Sequence, residues 1–254
     1  AGTSATLNLG DDVNGGDGID TLRVISDLIT AIPLAAVSNV EIIEVRSASA
    51  GTGSIDTSAK AGVTNLNITS ATDGTSFTAT AAATTDVSVS GGATPLTLNG
   101  GKNITVTDAT ADMAITIGGT TLNAGTITVT DSKQGTGNIA IDGGTDVTVT
   151  ATANQAATPT GNITVGQGGA ATDLPTGAVV VTQNTVSDAT AAITAGNVTV
   201  TGGSTITINA NSTNTATAAS TSGLNVIAGT YTATAGDTTT EITVKQAHTA
   251  TSFA

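Results

Sequence analysis

From residue 86 onward, valine or isoleucine alternates with threonine in short runs: 86–90, 104–107, 115–117, 127–130, 139–141, 147–150, 163–165, 179–182, 198–201, 206–208 and 242–244. Successive side chains of a strand point to opposite faces, so each run predicts a strand with one buried aliphatic face and one threonine face. Gly-Gly or Asn-Gly steps at 91–92, 99–101, 118–119, 143–144, 168–169 and 202–203 separate the runs, as tight turns require. Before this region, 22–25, 40–45 and 63–69 also read as strands. Between the first two, Leu28, Ile29, Ile32 and Val37 suggest a short helix over 27–37, limited to a turn or two by Pro33.

A longer repeat lies above the strand period. Gly100-Gly101-x-x-Ile104-Thr105-Val106, Gly143-Gly144-x-x-Val147-Thr148-Val149 and Gly202-Gly203-x-x-Ile206-Thr207-Ile208 share one pattern, with starts 43 and then 59 residues apart. Unequal insertions into a regular ladder suit a solenoid, where each turn contacts only its neighbours. The expected fold is therefore all-β: a parallel β-solenoid with short strands and irregular loop insertions. Strands spaced 8–12 residues apart also suit a chain of tandem immunoglobulin-like β-sandwiches, the alternative.

Composition favours the narrower of these. The 254 residues include 56 threonines, 31 glycines and no cysteine, and the aromatics are Phe77, Tyr231 and Phe253. A two-sheet sandwich core about 10 Å thick usually relies on aromatics, whereas stacked aliphatics fill a slim interior without them. Hydrophobic residues make up 38% of the chain, enough to argue against disorder. The lack of cysteine removes thiol chemistry and zinc–thiolate sites, and is compatible with an exported protein. No apolar run reaches the ~20 residues that span a bilayer, so a membrane-embedded chain is not expected.

The net charge is −13, and the six basic residues, Arg23, Arg46, Lys60, Lys102, Lys133 and Lys245, are scattered. Such a surface does not favour nucleic acid; divalent cations are better partners. His248 is the one histidine, and no serine has a base that sequence assigns to it. The acids are spread out, and Asp108 with Asp112 and Asp142 with Asp146 read as solvated corner residues, with second-tier calcium ligands at the solenoid corners as the alternative. No enzyme activity is expected.

Thr-x-Thr pairs such as Thr105/Thr107, Thr128/Thr130 and Thr148/Thr150 resemble the threonine ladders with which unrelated solenoids bind ice. Their unequal intervals, 23 and 20 and then 57 to Thr205, predict that no ladder stays in register. Threonine then serves as the default polar β-former. The Asn-x-Ser/Thr triplets at Asn67, Asn103, Asn162, Asn197 and Asn211 are expected by chance at this threonine content.

The candidate chemistry lies near the N-terminal end. Residues 15–23 fit the calcium nonapeptide G-G-x-G-x-D-x-U-x through Gly15, Gly16, Gly18, Asp20 and Leu22. In a β-roll, calcium sits between loops about 18 residues apart, bound by carbonyls and the Asp carboxylate. No second copy stands at that spacing, so a complete site borrows ligands from Asp11, Asp12 or Asn14, or from a segment upstream of the chain, beside Gly15, Asp17, Gly18 and Asp20. The alternative is a plain acidic turn over 10–18, since Gly, Asn and Asp suit any such loop. An EF-hand is excluded because Arg23 occupies the place of the closing Glu.

This nonapeptide, followed by Ser38-Asn39-Val40-Glu41-Ile42-Ile43-Glu44-Val45 and by 63–71 and then a threonine-, alanine- and glycine-rich remainder, resembles the RTX-type calcium-binding surface-layer proteins of Gram-negative bacteria. The likeness is sharpest over 10–71 and compositional beyond. It implies a secreted β-solenoid subunit of a two-dimensional lattice on the cell surface, folded and assembled with Ca2+. Copies of the chain would be its partners, with cell-surface polysaccharide contacted through a region outside it. The family's ligand positions fall on Gly15, Gly16, Asp17, Gly18 and Asp20. Residues 1–71 would hold the calcium turn and the start of the solenoid, and 72–254 the strand repeats. The alternative is a section of a large calcium-dependent adhesin.

Overall fold

A computed structural model of the chain describes residues 7, 10–26, 36–47, 52–60, 62–70, 76–91, 95–108, 112–154, 160–167, 173–187, 193–214 and 226–250. Two long parallel sheets dominate it. The ten-stranded sheet comprises, in order, Thr21–Ser26, Ile42–Ser47, Asn65–Ser70, Asp86–Ser90, Ile104–Asp108, Ile127–Asp131, Val147–Ala153, Ala178–Ser187, Thr205–Asn214 and Glu241–Ala250. The eight-stranded sheet comprises Thr52–Asp56, Ser76–Ala81, Leu96–Gly100, Ile115–Ile117, Ile139–Ile141, Ile163–Val165, Val198–Thr201 and Tyr231–Thr234. From Ile42 onward the chain alternates between these sheets, apart from Ile193–Thr194 and Val226–Ile227, which form a separate parallel pair, and each strand pairs with its equivalent one turn away. The fold is a parallel β-solenoid. Immunoglobulin-like sandwiches pair their strands antiparallel, which the all-parallel ladders exclude. The expected helix lies mostly outside the described residues, at 27–35; its end, Val37–Ser38, is a strand paired with Val13–Asn14.

The strands form where alternation places β-branched aliphatics on one face. Ile104 and Val106 point inward while Thr105 and Thr107 are exposed, and the same parity holds at Ile127–Asp131 and Val147–Ala153. Stacked rungs then bury like against like: Ile115, Ile139 and Ile163 are register partners, each fully buried. Full burial of one such side chain is worth about 1.5–3 kcal/mol. Phe77 is the one buried aromatic among the described residues.

Register survives the unequal turns. Residues Leu66, Val87, Ile104, Ile127, Val147 and Val179 are successive partners although the steps between them vary. This corrects the expectation for threonine. Thr105, Thr128 and Thr148 stand side by side, as do Thr107, Thr130, Thr150 and Thr182. Extra residues leave at the corners, so turn length and strand register are uncoupled. The ranks are broken by Val180 in one and by Asn209 and Lys245 in the other.

One corner has its own repeat. Gly137-Asn138, Gly161-Asn162 and Gly196-Asn197 each precede a strand of the eight-stranded sheet. A Cβ on Gly161 would overlap the Gly137 carbonyl oxygen, and one on Gly196 would overlap that of Gly161. The asparagines link the turns: the Asn162 amide donates to Asn138 Oδ1 at 2.7 Å and the Asn197 amide to Asn162 Oδ1 at 2.8 Å. Asn162 and Asn197 therefore have a structural task at this corner.

Candidate metal-binding loop

The nonapeptide joins Val13–Asn14 to Thr21–Ser26 at the first described turn. Its entry is tied to the next turn by Val13 N–H donating to Ala36 O at 2.8 Å and Gly15 N–H to Ser38 O at 3.1 Å. Gly15 has no room for a side chain, because a Cβ would overlap Asn39 O. Gly16 and Gly18 follow at φ 90° and 122°, in the region that favours glycine. Asn14 Oδ1 accepts both the Gly16 amide at 3.1 Å and Asn39 Nδ2 at 2.8 Å, which shapes the turn.

Asp20 closes the loop half-buried. Its amide donates to Glu41 Oε2 at 2.8 Å, and its carbonyl accepts the Ile42 amide at 3.0 Å. Asp20 Oδ2 is buried and makes no hydrogen bond. A buried carboxylate oxygen without a donor is costly, and it is the kind of atom a cation satisfies.

The other candidates are less gathered. Asp12, Asn14, Asp17 and Gly18 are exposed, while Asp11 and Gly15 are half-buried. Among the described residues no group of three or more His, Cys, Asp or Glu side chains converges in a way that would hold a metal ion. The structure brings Asp20 to Glu41, one turn on, and Asn14 to Asn39; it does not draw Asp11, Asp12 and Asp17 together with Asp20 into one carboxylate cage. Glu41 was not in the sequence-derived set, since finding it needs the 21-residue register that pairs Thr21 with Ile42. The available donors are all oxygen, which suits a hard cation taking 6–8 oxygen ligands. Asp20 and Glu41 would supply carboxylates and the glycine loop would supply carbonyls.

At the other end of the solenoid a cavity of about 250 Å³ is lined in part by Thr185, Ser212, Tyr231, Gln246 and His248. Ser212 and His248 are register partners, and Ser212 Oγ lies 2.9 Å from His248 Nδ1. That pairing was invisible in sequence, where 36 residues separate the two. A nucleophilic serine also needs its base oriented by a third group. Among the described residues no acid is hydrogen-bonded to His248. Tyr231 Oη donates instead to Gln183 Oε1 at 3.1 Å.

No protein-family model matches the chain, and no curated protein matches it. Among the described residues no helix is long and apolar enough to cross a membrane.

Proposed function

We propose that the chain is a structural, non-catalytic section of a secreted bacterial surface-layer protein, a β-solenoid that assembles with copies of itself into a calcium-dependent lattice on a Gram-negative cell. The observation that carries this reading is the loop 15–20. It keeps every glycine of the calcium nonapeptide in a conformation or contact that needs glycine, and leaves Asp20 Oδ2 buried without a hydrogen-bond donor. The charge of −13 supports it as well, because copies of the chain repel one another until a divalent cation orders or bridges their acids.

Calcium titration followed by circular dichroism, on the parent and on Asp20→Ala, tests the loop. The parent gains thermal stability with calcium and the variant gains less; a parent that ignores calcium reduces the loop to a plain turn. Electron microscopy of the full-length protein after calcium addition tests the lattice. Ordered sheets are expected. Monomers at every calcium concentration would sink the lattice and favour the adhesin section instead.

A further inference from the structure

Asp108 and Asp131 end two strands with the same sequence, Ile-Thr-Val-Thr-Asp, at Ile104–Asp108 and Ile127–Asp131. They are register partners on adjacent rungs, which lie about 4.8 Å apart. Both occupy the parity of Ile104, Val106, Ile127 and Val129, so both side chains enter the core, with exposures of 0% and 1%. Sequence reading had Asp108 as a solvated corner residue. The structure instead stacks two carboxyl groups inside the solenoid.

Their surroundings carry little compensating charge. Asp86–Ser90, on one side, has its acid at the opposite end, where Asp86 Oδ1 accepts Asn103 Nδ2. Val147–Ala153, on the other side, has no titratable residue and places Ala151 beside Asp131. Ile115–Ile117 and Ile139–Ile141, the strands of these turns in the second sheet, have none either. At the corner Lys133 is exposed and reaches Asp131 Oδ1 only through its backbone amide, at 2.9 Å. Gln134 is buried and neutral, its amide nitrogen donating to Gly161 O. Asp112 is exposed and accepts from Thr136. Two stacked carboxylates in such a low-dielectric interior repel strongly, and each also loses its hydration.

We propose that Asp108 and Asp131 share a proton and form a pH-sensitive joint between two central turns of the solenoid. With the proton present the carboxyl groups stack and the corner packs. When pH rises and both ionise, repulsion inside the core loosens the joint.

The acidity of Asp131 agrees with this arrangement. Burial pushes its pKa from 3.8 up to about 7, against the lowering by the Lys133 amide and with a further push from the Asp108 charge. A group that holds its proton more tightly when folded stabilises fully below its ordinary pKa. That contribution is lost as pH rises from about 4 to about 7.

Urea unfolding of the full chain between pH 4 and 9, for the parent and for Asp108→Asn and Asp131→Asn, tests the joint. In the parent the unfolding equilibrium constant rises by up to about tenfold per pH unit between about pH 4 and about pH 7 and levels off above. Each Asn variant, which keeps the shape but not the second charge, flattens the rise. Carbon-13 NMR of aspartate carboxyls in the unmutated chain gives a second reading that needs no variant to fold. One buried carboxyl titrates near neutrality. Both carboxyls titrating below pH 5, or Asn variants keeping the parent's slope, would overturn the proposal.

Discussion

Gly53 lies beside Phe77 in the eight-stranded sheet, so close that a Cβ on Gly53 would sit 2.8 Å from Phe77 Cδ2. The glycine makes room for the one buried aromatic among the described residues, in a core built mainly of aliphatics. Gly53→Val should cost about 1–3 kcal/mol by overpacking, and Phe77→Ala about 3–5 kcal/mol by leaving a cavity. Combined, the valine occupies part of the space the ring vacates, so the double variant should lose less than the sum. Chemical denaturation of the four proteins measures that coupling; strict additivity would mean that the two side chains do not share space.

The Gly-Asn corner offers a separate test. Gly161→Ala drives a methyl into the Gly137 carbonyl oxygen, a backbone atom held in its own turn, and should cost about 1–3 kcal/mol or more. Asn162→Ala removes the acceptor of the Asn197 amide, 2.8 Å away, while leaving the stacking intact. Its expected cost is about 0.5–1.5 kcal/mol, the net worth of one hydrogen bond. Asn162→Asp keeps an acceptor and should retain most of that stability. Hydrogen exchange at the Asn197 amide separates the cases: faster in the alanine variant, near the parent in the aspartate variant.

Strand positions were legible because Val/Ile–Thr alternation is itself the cause of one buried and one solvated face, and every run expected after residue 86 lies in a strand. Pairing was less legible. Ile-Thr-Val recurs unchanged at 104–106 and 127–129, so local sequence fits many partners, and only the corners decide how many residues leave between rungs. Expecting unequal intervals to break the threonine ranks mistook corner length for register. The acids failed for a related reason. Counted along the chain they look dispersed, yet Asp108 and Asp131 keep the inward parity of their strands, a signal visible in the repeated I-T-V-T-D. In the loop 15–20 the glycines were readable from the motif, whereas Glu41 beside Asp20 required the solenoid register.

Near that loop, Arg23 Nε donates to Glu44 Oε2 at 2.7 Å across adjacent turns. The geometry is short, but the side chains are 69% and 36% exposed, and water and salt screen such a pair. Arg23→Ala should therefore change stability by less than about 1 kcal/mol. The effect should shrink further in 0.5 M salt, measured by thermal denaturation. A loss comparable to Phe77→Ala would show that the pair is shielded in solution.

Because each turn touches only its neighbours, stability should be graded along the axis. Ile206 and Ile208 are fully buried, whereas their partners Ile242 and Val244 are 43% and 46% exposed. Glu241–Ala250 pairs with Thr205–Asn214 on one edge and has no second strand among the described residues. Native-state hydrogen exchange should then find the slowest amides in Ile127–Asp131 and Val147–Ala153, where both edges are paired and the inward residues are fully buried. The fastest strand amides should lie in Glu241–Ala250. Equal protection from end to end would mean that the turns unfold as one cooperative block, and that the interfaces between turns outweigh the differences in burial.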